Sequence, residues 1–264
     1  MKSLFMISLL SLSVCGLTAQ TVDTVNLANY FGDYRGTFVL YDMNNNKIYK
    51  HNPQRAHEQF TPASTFKIPN SLIGLETGVI PDDKYVIPWD SVKREFDSWN
   101  RDHDLRSAMK FSVVPYYQEL ARRVGEVSMK EFINKFNYGN MDVSGGIDMF
   151  WLRGGLFISA DEQITFLKKF YENILQISER SINIVKDILI KEKTDKFTFS
   201  AKTGTGMTFE GEIKKYIAWY VGYVEQNNNV YFFAMNFDAY DFNSVYNDRL
   251  DITRKVLNRF GLML

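Results

Sequence analysis

Three short motifs stand in one order along this chain: Ser64-Thr65-Phe66-Lys67, Ser112-Val113-Val114 and Lys202-Thr203-Gly204. The first places a hydroxyl and an amine three residues apart, so both meet on one face if the segment is helical. The second adds another hydroxyl, and the third a cation on an extended segment ending in glycine. A serine becomes a nucleophile only beside a base, and a lysine is a base near neutral pH only when burial lowers its pKa. Phe66, Val114 and Trp151 are the apolar residues expected around Lys67. Ser112 is placed to pass a proton between Lys67 and a leaving nitrogen. Lys202 and Thr203, with Gly204 closing their motif, offer charge and hydroxyl to a substrate carboxylate, and Thr205 N–H is the natural partner of Ser64 N–H in an oxyanion hole. The ordered set describes acyl transfer from a strained or activated amide to a serine.

One motif by itself carries little weight. Ser107-Ala108-Met109-Lys110 is also Ser-x-x-Lys, and about one such match is expected by chance in a chain of this length. Setting separates the two copies. Ser64 follows Thr61-Pro62-Ala63, a proline-containing helix entry, and Phe66, Ile68, Leu72, Ile73 and Leu75 continue the apolar pattern. Ser64 is therefore expected in a first turn, where free N–H groups and the positive end of the helix dipole favour an oxyanion.

The elements that must hold these residues follow from periodicity. Residues 36–43 and 47–50 read as a hairpin around Asn44-Asn45-Asn46. A helical insert over about 65–195 contains apolar residues at helical spacing in 119–124, 129–136, 160–171 and 182–190. The period then changes: 199–203, 216–225 and 230–237 read as adjacent strands, and 245–260 as a closing amphipathic helix. Strands at both ends enclosing helices imply an α+β fold, with a central antiparallel sheet flanked by helices beside a mainly helical lobe. The cleft between the lobes is the expected ligand site.

Composition bounds the rest. The 264 residues are 45% hydrophobic, enough for a sizeable core, with 31 basic and 31 acidic side chains and no basic run. Nucleic-acid binding therefore has no electrostatic footprint. Lys2 precedes an apolar run at 4–17, and Leu17-Thr18-Ala19 reads as a cleavage site, so residues 1–19 are expected to be a leader and 20–264 one exported catalytic domain. The leader is too short for a membrane span, and lipidation at Cys15, the chain's only cysteine, is the less favoured alternative. His51, His57 and His103 lack metal-ligand spacing, and His103, between Asp102 and Asp104, reads as a solvated loop residue. No metal or nucleotide cofactor is expected, and oligomeric state stays open between monomer and homodimer.

With these residues in view, the chain resembles the class D, or oxacillinase-type, serine β-lactamases. The resemblance extends to Tyr138-Gly139-Asn140, Phe150-Trp151-Leu152 with Gly154, and the run from Pro115 to Arg123. Ser-x-Val at the middle motif separates this class from relatives carrying Ser-Asp-Asn. The resemblance implies the serine β-lactamase and penicillin-binding transpeptidase fold, and hydrolysis of penicillin-type β-lactams through an acyl-enzyme on Ser64. It also implies carbon dioxide bound as a carbamate on Lys67 and held by the Trp151 indole, and Arg249 binding the substrate carboxylate with Lys202 and Thr203. Phe96 and Met207 stand where family members acting on carbapenems bridge the cleft. Arg153 and Thr205 depart from the common family pattern, which bears on substrate preference. A penicillin-binding peptidase and a sensor that acylates without turnover share the motifs. Tyr138-Gly139-Asn140 is compatible with a plain turn or with a cleft wall.

Overall fold

The computed structural model describes residues 20–264, so the leader reading for 1–19 and Cys15 lies outside the described residues. In chain order the elements are β1 (Thr21–Thr24), α1 (Ala28–Phe31), β2 (Gly36–Asp42), β3 (Lys47–His51), α2 (Pro53–His57), α3 (Lys67–Glu76), α4 (Leu105–Lys110), α5 (Val114–Val124), α6 (Glu126–Phe136), α7 (Ala160–Tyr171), α8 (Glu179–Leu189), β4 (Ile190–Lys193), β5 (Phe197–Glu210), β6 (Ile213–Gln226), β7 (Asn229–Ala239) and α9 (Phe242–Arg259). Two short 3₁₀ turns, Ala63–Phe66 and Asp97–Trp99, complete the described set.

The strands form one sheet in the order β1-β3-β2-β7-β6-β5-β4. Every neighbouring pair is antiparallel except β1 with β3, which is parallel. The expected antiparallel sheet is thus mixed at one edge. β1 is exposed throughout and has no apolar alternation, so no sequence signal marks it. β5 and β6 are longer than their apolar stretches because their far halves form a hairpin arm with exposed Phe209 and Ile213 near its tip.

Alternation along the strands builds two cores. Val39, Tyr41, Trp219, Val221 and Phe232 face the helical lobe and join Phe66, Tyr117, Trp151 and Leu167. Phe38, Leu40, Tyr220, Phe233 and Phe237 face the other way, onto Val256 and Leu257 of α9 and Phe31 of α1. The sheet is covered on both faces, and the helical insert supplies one of them.

Local caps explain several helix starts. Ser159 and Glu162 form a reciprocal capping box that begins α7 at Ala160. Asp104 and Ser107 do the same for α4. The second Ser-x-x-Lys is thereby explained as a capping box: the Ser107 hydroxyl lies on Asp104, and Lys110 ends the helix at the surface. His103 departs from expectation. It is buried, with Nδ1 against the Ser107 hydroxyl and Nε2 against the Ser98 carbonyl, because the bridge between Ile87 and His103 draws the loop inward.

The segment entering the nucleophile motif is anchored by a buried ion pair. Arg55 of α2, fully buried, grips Asp238 of β7 through two hydrogen bonds of 2.6 and 2.9 Å and donates to Asn236 at 2.7 Å. Lys215 adds a third cation contact to Asp238 at 2.9 Å. Removing one member of such a pair leaves a buried charge without its partner, which costs about 3–5 kcal/mol. Arg55→Met, which leaves Asp238 with Lys215 as its close cation, should lose up to about that much unfolding free energy in urea titration, whereas an exposed control such as Arg259→Met should change it little.

Candidate active site

The site is built on the turn from Thr61 to Phe66. Its backbone is strained at Ala63, a non-glycine residue with φ +48°, a conformation costing about 1–3 kcal/mol unless the surroundings enforce it. They do so from several sides. The Trp151 carbonyl accepts from Ala63 N–H and from the Thr61 hydroxyl, each at 3.0 Å. The Trp219 indole N–H donates to the Thr61 carbonyl at 3.0 Å. The Thr65 hydroxyl donates to the Pro62 carbonyl at 2.8 Å. Ser64 therefore projects from a turn that cannot relax.

β5 closes the other side. β4 pairs with β5 only as far as Ser200, so beyond that point the second edge of β5 has no strand neighbour and lies against the nucleophile turn. Lys202, Gly204 and Gly206 share one face of the strand by its two-residue period. A Cβ on Gly204 would sit 3.0 Å from the Pro62 carbonyl and 3.2 Å from Thr65 N, and one on Gly206 would sit 2.3 Å from a Thr61 methyl. The glycines are required by this close approach, which lets the strand that presents Lys202 also touch the turn that presents Ser64.

Lys67 opens α3, three residues after Ser64, and its Nζ is 2.7 Å from Ser64 Oγ. It is fully buried, and burial alone brings its pKa down to about 7. Phe66 and Trp151, both inaccessible to solvent, stack at 5.4 Å in the same core. The Tyr117 ring lies 5.3 Å from the ammonium position, and the Tyr117 hydroxyl meets Ser71 Oγ, which donates to the Lys67 carbonyl. Val114 lines the open cleft above. Of the three apolar neighbours expected for Lys67, two are core aromatics and one is cleft wall; Tyr117 is an additional neighbour, missed because nothing in Pro115-Tyr116-Tyr117 says which of the two buried tyrosines faces Lys67.

Ser112 also sits at a left-handed position, φ +55°. Its flanks are tied by Trp99 Nε1 donating to the Phe111 carbonyl at 3.0 Å and Val113 N–H donating to the Ala108 carbonyl at 2.9 Å. Lys202 Nζ donates to Ser112 Oγ at 3.0 Å and to the Thr203 carbonyl at 2.9 Å. Burial first, then repulsion from Lys67, Lys191 and Arg249, holds the Lys202 pKa well below its ordinary value. Arg249, on α9, donates through one Nη to the Gly204 carbonyl at 3.0 Å and the Thr205 hydroxyl at 2.7 Å. Its Nε is buried with no partner, and burial lowers its pKa to about 10.

A cleft of about 320 Å³ is lined by Ser64, Ser112, Val114, Thr203, Gly204, Thr205 and Arg249, with Lys67 and Lys202 buried beneath. Phe96 is on its rim, as are Trp99, Phe242 and Tyr246, three aromatic residues that motif spacing did not reveal. Among the described residues no aspartate or glutamate lines it. Phe96 and Met207 line two different depressions, which share Leu152. Phe96 packs on Trp99 at 4.7 Å and faces Phe242, while Met207 lines a neighbouring depression with Phe60, Leu152 and Phe157. Met207 lies on the β5 strand of the hairpin arm, and α9 puts Phe242 beside Phe96. Tyr138 does not form a cleft wall either; it is wholly buried behind the nucleophile turn, and Asn140 pins the loop by bonding Gly155 and Phe157. Among the described residues no group of His, Cys, Asp and Glu could hold a metal ion, and no helix is long and apolar enough to cross a membrane.

Residues 36–259 match the family described as the penicillin binding protein transpeptidase domain. The chain is 50% identical over 204 residues to the β-lactamase OXA-48 of Klebsiella pneumoniae, a match covering 77% of this chain and 76% of that protein. A crystal structure of a class D β-lactamase from Sebaldella termitidis superposes with a TM-score of 0.88 at 37% identity, covering 94% of this chain and 100% of that one. The regulatory protein BlaR1 of Bacillus licheniformis is 33% identical over 248 residues, which make up 93% of this chain but 40% of that protein. Fold and site together define a serine acyl-transfer scaffold of the penicillin-binding transpeptidase type. Within that scaffold the chain belongs to the class D serine β-lactamases.

Burial lets the Lys67 amine shed its proton near neutrality. Its Nζ resonance, followed by heteronuclear NMR in buffer freed of carbon dioxide, should titrate with a midpoint of about 7. An amine still fully protonated at pH 9 would show that the pocket is wet.

Proposed function

We propose that this chain hydrolyses the β-lactam ring of penicillin-type antibiotics through an acyl-enzyme on Ser64. The observation that supports this most is the 2.7 Å contact between Ser64 Oγ and a buried, deprotonatable Lys67 in a cationic cleft without an acid. Lys67 takes the Ser64 proton as Oγ attacks the lactam carbonyl carbon. The oxyanion is received by the N–H groups of Ser64 and Thr205. The lactam C–N bond breaks and its nitrogen takes the Ser112 proton. That proton is free to move because Ser112 Oγ already accepts from Lys202. Ser112 is then reprotonated from the Lys67 side. Water next attacks the ester with Lys67 again as base, and Ser64 leaves with the returned proton.

The substrate carboxylate is the natural counter-ion for Lys202, Thr203 and Arg249. It would relieve the repulsion between Lys202 and Arg249, accept from the Thr203 hydroxyl, and give the Arg249 Nε an acceptor. Phe96, Val114, Gly204 and Leu152 bound the space for the remainder of the substrate. Met207 lies off this cleft, so the Phe96–Met207 pair lends no support to a carbapenem preference. The leader reading makes export through removal of residues 1–19 part of this proposal.

Lys67 suits carbon dioxide as a carbamate, since the group forms only on a neutral amine and persists only where protons and water are scarce. Ser64 and Trp151 would hold it, and when bound it supplies a carboxylate-like base at the Lys67 position.

Ser64→Ala should lower kcat/KM for a chromogenic cephalosporin by at least about 10³-fold and form no penicilloyl adduct by mass spectrometry. An adduct on the variant would move the nucleophile elsewhere, and one turnover followed by silence in the unsubstituted protein would make it an acylating sensor. Turnover should also rise when bicarbonate is added to protein stripped of carbon dioxide, and fall as pH drops below about 7. A rate indifferent to bicarbonate would remove the carbamate from this reading.

A further inference from the structure

Gln163 lies in α7, 98 positions from Thr65 in sequence, and is 1% exposed. Its carboxamide nitrogen donates to Thr65 Oγ1 at 2.9 Å and to the Tyr138 hydroxyl at 3.4 Å. A hydroxyl that accepts a hydrogen bond from one side has its single hydrogen left for the other. Thr65 spends that hydrogen on the Pro62 carbonyl at 2.8 Å, and Thr65 N–H bonds the same carbonyl at 3.1 Å. Pro62 and Thr65 bracket the two residues that matter most, the strained Ala63 and Ser64. Without the amide donor the Thr65 hydroxyl keeps only its contact with Tyr138 to hold its hydrogen on Pro62.

The helix end determines where this amide falls. The capping box at Ser159 begins α7, and Gln163 N–H bonds the Ser159 carbonyl at 3.0 Å, so Gln163 is one turn inside a well-defined start. Tyr138 completes the arrangement. Its ring meets Phe66 edge-on at 5.7 Å and Phe166 at 4.9 Å, which places the tyrosine of Tyr138-Gly139-Asn140 behind the nucleophile, where it faces the same amide.

We propose that Gln163 is a positioning residue for acylation: it orients the Thr65 hydroxyl, which closes the turn that aims Ser64 at Lys67 and at the free edge of β5. This rests on Ser64 being the nucleophile. Small displacements of reacting groups cost up to about 10²-fold in rate, so loss of this one donor should be visible in the chemical step.

The test is single-turnover acylation by a penicillin, with each variant held well below its unfolding temperature. Gln163→Leu should lower the acylation rate constant about 10- to 100-fold, while apparent penicillin affinity stays within about twofold and the pH midpoint set by Lys67 is unmoved. Thr65→Val should show the same loss, and the double variant should be no slower than either single one, as expected for groups acting through one contact. Thr65→Ser, which keeps the hydroxyl, should restore most of the rate. Should Gln163→Leu fail to fold, Gln163→Met, nearer in length, and the Thr65 pair carry the same comparison. A normal acylation rate with only a lower melting temperature would make Gln163 a packing residue and overturn the proposal, as would additive losses in the double variant. A penicilloyl adduct on Ser64→Ala would instead overturn the nucleophile assignment, a result separable from the Gln163 outcomes.

Discussion

Burial of Lys67 is the constraint on which the rest of this structure depends. An amine becomes a base near neutrality only if water is kept from it, and keeping water out requires tight, apolar packing on every side. The stacked Phe66 and Trp151, the Tyr117 ring and the helical lobe behind them supply it. The ordinary alternative for a buried lysine, a carboxylate partner, would hold the proton in place and end its use as a base. The cleft lining contains no such partner.

Withholding acids has a second consequence. Lys67, Lys202 and Arg249 are buried close together, and their mutual repulsion adds to desolvation in lowering the Lys202 pKa. The cleft is therefore electrostatically complementary to an anionic group. Under the proposed function, carboxylate recognition and serine activation are two results of one arrangement: basic groups removed from water.

The nucleophile turn shows how strain is maintained. Ala63 and Ser112 both occupy left-handed backbone positions without being glycine. Each is held by hydrogen bonds from residues remote in sequence: Trp151, Trp219 and Gln163 around the first, Trp99 near the second. Glycine is reserved instead for β5, where Gly204 and Gly206 let the strand approach the turn more closely than any side chain would allow.

Several of these features are local and could be read directly from residue order. Ser64 and Lys67 meet because three residues span one turn; α7 begins where Ser159 and Glu162 cap it; and the long strands and α9 show their periods. β1 escaped because its residues are exposed throughout and show no apolar alternation. Other features depend on which faces meet. Phe96, for example, packs on Trp99 and Phe242, and Met207 lines a depression with Phe60 and Phe157, neighbours that motif spacing does not reveal. Tyr117, Gln163, Arg55 and Trp219 look like unremarkable core or surface residues in the sequence and become essential contacts only across separations of 46 to 183 positions. Spacing of a few residues is set by the geometry of one helix or strand, so sequence alone determined the motifs and most elements. The contacts that dry Lys67 and aim Ser64 arise from packing between elements, whose register no single periodicity encodes, and only the tertiary structure decided them.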